Sequence, residues 1–221
     1  DDRQLRLVDC RFDLADPDAG ARAYAAERIP HARYADLNRD LSDLSQMATH
    51  GRHPLPGMRA LAASFARLDL TRDTHIVAYD QDSGAYAARL WWLLRVLGFA
   101  QVKVLNGGYS AWKAAELPVS TEAVVPTPAI FPTTLATADV MLTKDDVADA
   151  LGTDTVLLDV RDVDEWIGES SSPYGRDFAP RKGRLPGAKW VEWYRFMKPS
   201  PQGPVFKSPD EVRAECATAG I

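Results

Sequence analysis

The 221-residue sequence predicts an α/β fold in which two similar domains each form a small, mainly parallel sheet flanked by helices. Two observations support this prediction. Short apolar runs alternate with stretches of helical spacing, which is typical of a parallel sheet covered by helices. In addition, the beginning of the chain recurs about 150 residues later. A repeat of this length indicates duplicated domains, because solenoid repeats are much shorter.

The first domain is predicted to span residues 1–117. Apolar runs predict its strands, at residues 5–9, 75–79 and 101–105. Apolar residues with helical spacing predict its helices, over residues 58–68, 83–97 and 110–115. Gly98 ends the long central helix, and the Trp91–Trp92 pair within that helix is expected in the core.

A Pro- and Thr-rich segment, residues 118–138, predicts a linker, and the second domain follows over residues 139–221. Thr143 is expected to cap a helix that begins at Lys144. The next predicted strand begins at residue 156.

Two pairs of segments carry the duplication. The apolar run that ends in Asp9-Cys10-Arg11 recurs as the run that ends in Asp159-Val160-Arg161. Residues 28–32 (Arg-Ile-Pro-His-Ala) recur as residues 184–188 (Arg-Leu-Pro-Gly-Ala). The first copy is expected to lack about a dozen leading residues, and a complete second copy is expected to extend roughly 47 residues beyond Ile221.

The composition excludes several classes of function. A formal net charge of −5 offers no basic surface, so neither nucleic acid nor a membrane is an expected partner. No apolar run approaches the roughly 20 residues that a membrane-spanning helix needs. Two cysteines form no disulfide framework, which favours a cytoplasmic protein. No cofactor is expected, because residues 106–108 (Asn-Gly-Gly) lack the nucleotide-binding fingerprint and are interpreted as a turn.

Five segments in order resemble the marker segments of the tandem-domain rhodanese family, the thiosulfate and 3-mercaptopyruvate sulfurtransferases. They are residues 7–11, 27–32 and 105–112 in the first domain and residues 158–161 and 183–188 in the second. The family usually has histidine where Arg28 and Arg184 stand. The resemblance covers nearly the whole chain and implies two rhodanese-like domains, the second of them incomplete in this sequence.

The resemblance implies an enzyme that moves sulfane sulfur from thiosulfate or 3-mercaptopyruvate to cyanide or a thiol. A cysteine thiolate takes the outer sulfur of such a donor as a persulfide. This anion needs backbone N–H groups at a helix N-terminus, which explains why the family's catalytic cysteine lies in a loop between a strand and a helix. The alternative function is a non-catalytic rhodanese-like module that binds or regulates.

In the first domain the corresponding loop is residues 79–84, with Asp80 at the nucleophile position. A carboxylate cannot carry sulfane sulfur, and Asp82 adds negative charge, so this domain is expected to be non-catalytic. In the second domain the loop is expected about ten residues after Ile221, so no catalytic residue is expected within this chain. The chain by itself is therefore expected to be inactive and poorly stable.

Arg161 is the candidate substrate-binding residue, because the resemblance matches it to an arginine that helps to bind the anionic donor. Its planar guanidinium suits such a group. An ion pair with a nearby carboxylate fits the sequence equally well, since Arg11 occupies the same place in the first domain. Arg176, Arg181 and Lys182 either line an anion site or lie in a solvated loop.

The remaining candidates are expected to be structural. Cys10, in a predicted strand, and Cys216, on the apolar side of a predicted helix, are expected to be buried and dispensable for chemistry. His50 and His53 are three residues apart without a third ligand nearby, which favours a surface loop over a metal site.

Overall fold

The computed structural model describes residues 4–131, 141–171, 175–177 and 181–221. These residues form two compact units. Unit 1 extends to Met141 and includes Pro201–Gly203, and unit 2 contains Leu142–Ser200 and Pro204–Ile221. Among the described residues, no helix is both long enough and apolar enough to cross a membrane.

Unit 1 is an α/β domain with four parallel strands in the order β2-β1-β3-β4. Its elements are β1 Leu5–Asp9, α1 Ala19–Ala26, β2 Arg33–Tyr34, α2 Met47–His50, α3 Met58–Arg67, β3 His75–Tyr79, α4 Ala85–Val96, β4 Val102–Val104 and α5 Gly108–Ala114. The three predicted strands and three predicted helices are confirmed, with β4 shorter than expected. Helices α1 and α2 and strand β2 were not predicted from the sequence.

Unit 2 contains α6 Lys144–Ala150, β5 Leu158–Asp159, α7 Val163–Ile167, β6 Lys189–Trp190, β7 Met197–Lys198, β8 Val205–Phe206 and α8 Pro209–Thr218. Strands β5 and β6 are parallel, whereas β7 and β8 form a small antiparallel pair. Thr143 caps α6 as predicted, because its side chain accepts the N–H of Asp146 while the Asp146 carboxylate accepts the N–H of Thr143.

The duplication extends to strand register and to one unusual turn. Leu158 pairs with Lys189 in unit 2 as Val8 pairs with Arg33 in unit 1. The chain enters both of these second strands through a left-handed residue, which is His31 with a φ of 65° in unit 1 and Gly187 with a φ of 73° in unit 2. The repeated turn therefore tolerates histidine at a position that favours glycine.

Helix α4 supplies much of the core of unit 1. Its residues Ala87, Leu90 and Leu94 are fully buried. The expectation that both tryptophans of this helix lie in the core is wrong for Trp91, which is 38% exposed. The reason is the helical period, since the buried face is centred near Leu90 and Leu94 and Trp91 lies at its rim.

Residues 118–131, predicted as part of the linker, pack against unit 1. The Phe131 ring lies 4.8 Å from the Phe99 ring and 5.0 Å from the Phe65 ring, and its side chain belongs to the core. The N–H of Ala129 donates to the carbonyl of Ala66 over 3.0 Å. Unit 1 therefore continues beyond residue 117, while residues 132–138 of the predicted linker lie outside the described residues.

We predict that an ion pair at the start of α8 makes the stability of unit 2 depend on pH. The ammonium of Lys198 lies 2.8 Å from Glu211, and with the N–H and hydroxyl of Ser208 it lowers the pKa of this carboxylate to about 2. Because the folded pKa is below the usual 4.5, the stabilisation is present above pH 4.5 and is lost as the pH falls towards 2. Thermal unfolding should show Glu211→Gln less stable than the parent at pH 6 and equal to it near pH 2. A pH-independent difference would contradict this assignment.

Candidate functional site

The loop between β3 and α4 lies at the carboxyl end of a central strand, where ligand sites of open parallel sheets occur. Asp80 directly follows β3, and Gly84 directly precedes α4. The prediction that Asp80 lies in a loop at the start of this helix is confirmed. Its side chain does not face solvent, because the residue is only 1% exposed.

The Asp80 carboxylate accepts three backbone N–H groups at the start of α4. The donors are Gly84 at 2.9 Å, Tyr86 at 2.9 Å and Ala87 at 3.2 Å. Burial raises the pKa of Asp80, and these three hydrogen bonds partly oppose that rise. A fixed internal carboxylate therefore occupies the position where a helix N-terminus would otherwise hold an external anion.

The same loop is held from its other side by the start of α5. The N–H groups of Tyr109 and Ser110 donate to the carbonyls of Asp80 and Gln81 over 2.9 and 2.8 Å. Gly108 makes this close approach possible, because a Cβ on it would lie 2.7 Å from the carbonyl oxygen of Asp80. Residues 106–108 therefore form a tight turn, as predicted.

A buried ion pair lies at the end of β1, the strand next to β3 in the sheet. The Arg11 guanidinium lies 2.7 Å from the Asp9 carboxylate, which also accepts the hydroxyl of Tyr79 over 2.9 Å. Arg11 donates further to the carbonyl of Glu27 and lies over the ring of Tyr109. Burial lowers the pKa of Arg11, but the hydrogen bond and the charge of Asp9, together with Tyr79 and Tyr109, raise it, and the net shift is upward.

Unit 2 contains the same kind of ion pair, and its arginine is Arg161, the residue predicted to bind substrate. Arg161 donates to Asp159 over 2.9 Å and to the carbonyl of Gly183 over 2.8 Å. An ion pair with a nearby carboxylate, the alternative to a substrate contact, is therefore present at Arg161 in this structure. Unlike Arg11, Arg161 is open to solvent, with 42% of its side chain exposed.

Arg161 also lines a cavity of about 620 Å³ in unit 2. Two of the other predicted basic residues, Arg181 and Lys182, line the same cavity. Its charged lining is Arg161, Arg181, Lys182, Arg184 and Asp159. Its apolar lining includes Leu157, Leu158, Val160 and Leu185. Four cations against one carboxylate make this cavity suited to an anionic ligand.

The structure brings Arg181 and Lys182 to the cavity but does not place Arg176 in its lining. Arg184, which also lines the cavity, was not predicted as a candidate from the sequence. Its guanidinium lies 4.5 Å from the centre of the Trp166 ring, which fixes its side chain beside the cavity. The available signal was its place in a duplicated segment, opposite Arg28.

The two cysteines are both free thiols. Cys10 is 1% exposed as predicted, and burial, with the charges of Asp9 and other carboxylates, raises the pKa of its thiol well above the usual range. The expectation that Cys216 is buried is wrong, because the residue is half-buried in α8. No residue of α8 is buried.

His50 and His53 lie in the segment between β2 and α3. His50 ends the one-turn helix α2 rather than lying in a loop, and its ring contacts the hydroxyl of Thr49. Within the described part of the chain, no group of three potential metal-ligating side chains occurs.

We expect Asp80→Ala to destabilise unit 1 by about 1–3 kcal/mol, because it leaves three backbone N–H groups without their acceptor. Asp82→Ala, in the same loop, is the control and should change stability by less than about 0.5 kcal/mol. Urea unfolding of the two variants measures the difference. Equal stabilities would show that water replaces the carboxylate without cost.

Comparison with known proteins identifies the family. Residues 1–115 match the Rhodanese family, which is described as "Rhodanese-like domain". The chain is 34% identical over 205 residues to the thiosulfate sulfurtransferase of Azotobacter vinelandii, covering 90% of this chain and 69% of that protein. It is 49% identical over 114 residues to a Pseudomonas aeruginosa protein named "Probable 3-mercaptopyruvate sulfurtransferase", covering 51% of this chain and 40% of that protein.

The fold comparison agrees with the sequence comparison. The crystal structure of SseA from Escherichia coli, described as a 3-mercaptopyruvate sulfotransferase, matches with a TM-score of 0.80 and 25% identity. The match covers 100% of this chain and 79% of that one. The aligned part is less than half the length of the P. aeruginosa relative. From the family match and the relative in A. vinelandii, the chain belongs to the rhodanese family.

Proposed function

We propose that the whole protein is a sulfurtransferase that moves sulfane sulfur from thiosulfate or 3-mercaptopyruvate to a thiol or cyanide. The observation that carries the proposal is the basic cavity of unit 2, in a chain whose relatives bear sulfurtransferase names. Both donors are anions, so a cavity lined by four cations and one carboxylate suits either of them. We place the reaction in the cytoplasm, where thiols stay reduced.

In the proposed reaction, a cysteine thiolate attacks the outer sulfur of the donor and forms a new S–S bond. The S–S bond of thiosulfate or the C–S bond of 3-mercaptopyruvate breaks, and sulfite or the enolate of pyruvate leaves with the electron pair. The acceptor then attacks the outer sulfur of the persulfide, and the cysteine leaves as a thiolate. Arg161, Arg181 and Lys182 hold the anionic part of the donor in this proposal.

Neither cysteine of the chain suits the role of nucleophile. The raised pKa of Cys10 and its burial keep its thiol protonated and out of reach. Cys216 lies in the last turn of α8, not at a helix N-terminus that could stabilise a persulfide. The proposal therefore assigns the persulfide to a cysteine outside these 221 residues.

Unit 1 contributes no nucleophile in this proposal. Asp80 occupies the anion position of its loop with its own carboxylate, which accepts N–H groups of Gly84, Tyr86 and Ala87. This observation also favours the second candidate function, a non-catalytic module that binds or regulates. The two functions differ in one measurable property, which is sulfur transfer by the complete protein.

The test is thiocyanate formation from cyanide by the complete protein, with each donor in turn. Lys182→Gln should raise the KM for the donor about tenfold with little change in kcat, since one charge-assisted hydrogen bond is lost. Arg213→Gln is the matched control, because Arg213 lies in α8 with 75% of its side chain exposed. No thiocyanate from either donor would favour the non-catalytic module.

Cys10→Ser should reduce stability without abolishing sulfur transfer. The hydroxyl replaces a small apolar thiol in the core, and we expect a cost of about 1–3 kcal/mol in the free energy of unfolding. Urea unfolding measures that cost, and the thiocyanate assay at a temperature well below unfolding measures activity. A persulfide located on Cys10 by mass spectrometry of sulfur-loaded protein would contradict the assignment.

A further inference from the structure

A second cavity, separate from the site of the proposed sulfur transfer, lies in unit 1 beside the edge strand β2. Its volume is about 260 Å³. Three guanidinium groups line it, those of Arg33, Arg39 and Arg67, together with one carboxylate, that of Asp40. A small cavity with this lining carries an excess of positive charge.

The Asp40 carboxylate is shared by two of these arginines. It lies 2.8 Å from Arg39 and 3.1 Å from Arg67, and it also accepts the N–H of Asp36 over 2.9 Å. Its side chain is only 5% exposed. Because one buried carboxylate serves two guanidinium groups, it cannot neutralise both.

The third guanidinium group of the lining, that of Arg33, also shares its carboxylate with another arginine. Arg33 lies 2.9 Å from Asp69, and Arg6 lies 2.9 Å from the same carboxylate oxygen. Asp36 is a further carboxylate beside the cavity wall, where it accepts the hydroxyl of Tyr34 over 3.4 Å. The lining of the cavity itself therefore contains three guanidinium groups and one carboxylate.

Arg39 and Arg67 have N–H groups available for a ligand. Arg39 donates to Asp40 through Nε and Nη2, and Arg67 donates to Asp40 and Ser64 through Nη2. Their remaining N–H groups donate to no residue in the described ranges. The two side chains are 64% and 56% exposed, so a ligand can reach them from solvent.

We propose that this cavity binds a phosphate- or sulfate-type oxyanion, either free or as the ester of a small molecule. Planar guanidinium groups hold such oxygens through paired, charge-assisted hydrogen bonds. An oxyanion would offset the excess positive charge of this lining and accept N–H groups from both exposed arginines at once. Leu68, Val124 and Pro126 supply an apolar part of the wall, which an ester group can contact.

The test is calorimetric titration of the protein with inorganic phosphate, sulfate and phenyl phosphate, at an ionic strength held constant with chloride. Saturable binding is expected for the parent. Arg39→Gln and Arg67→Gln should each weaken it about tenfold, the value of one charge-assisted hydrogen bond. Arg95→Gln, an exposed position of α4 that does not line the cavity, should leave it unchanged.

Each outcome bears on the proposal. Tighter binding of phenyl phosphate than of inorganic phosphate assigns the site to an ester, and equal binding assigns it to the free oxyanion. Arg67→Lys keeps the charge but loses the planar fork, so it should bind with intermediate affinity even if Arg67→Gln fails to fold. The absence of saturable binding for all three anions, or equal weakening by Arg95→Gln, would overturn the proposal.

Discussion

Asp9→Ala is expected to destabilise unit 1 by about 3–5 kcal/mol, because it leaves the Arg11 guanidinium buried without its counterion. Asp9 is fully buried, and the side chain of Arg11 is only 6% exposed. The change also removes the acceptor of the Tyr79 hydroxyl. The remaining contacts of Arg11, with the carbonyl of Glu27 and the ring of Tyr109, cannot replace a carboxylate.

The duplicated ion pair of unit 2 provides a matched control. Asp159→Ala removes the same bonds from Arg161, but 42% of that side chain is exposed, so water can solvate the freed charge. We expect a loss of about 0–1 kcal/mol. Hydrogen exchange followed by mass spectrometry reports on β1 and β5 separately. Equal losses in the two units would show that burial does not decide the strength of this ion pair.

The surroundings of Asp80 could be predicted from local sequence signals. An apolar run at residues 75–79 precedes it, and Gly84 and a stretch of helical spacing follow it. These signals place the residue between a strand and a helix. They do not show that the turn at Gly108 closes over the loop, because that contact depends on the packing of residues distant in sequence.

The basic cavity of unit 2 likewise could be predicted only in part from the sequence. Arg161, Arg181 and Lys182 could each be suspected from resemblance or charge. Their common lining depends on the parallel pairing of β5 with β6, which brings residues 157–161 and 181–188 together. Strand β6, like β2, has only two residues, and a segment this short has no recognisable alternation.

Gly108→Ala is expected to destabilise unit 1 by about 3 kcal/mol or more, because it combines backbone strain with close contacts to neighbouring backbone atoms. Gly108 has a φ of +59°, and an added Cβ would lie within 2.9 Å of three backbone atoms of residues 80–82. Gly51 has a φ of +87° but open space around it. Gly57 has open space and a φ of −59°.

The three alanine variants therefore measure strain and close contact in one domain. We expect Gly57→Ala to change the free energy of unfolding by less than about 1 kcal/mol and Gly51→Ala to cost about 1 kcal/mol. Only Gly108→Ala pushes the Asp80 loop away from α5, so only this variant should also speed hydrogen exchange at the N–H groups of Tyr109 and Ser110, which donate into that loop. If Gly108→Ala costs no more than Gly51→Ala, the loop can shift to admit a Cβ, and the start of α5 does not fix the position of Asp80.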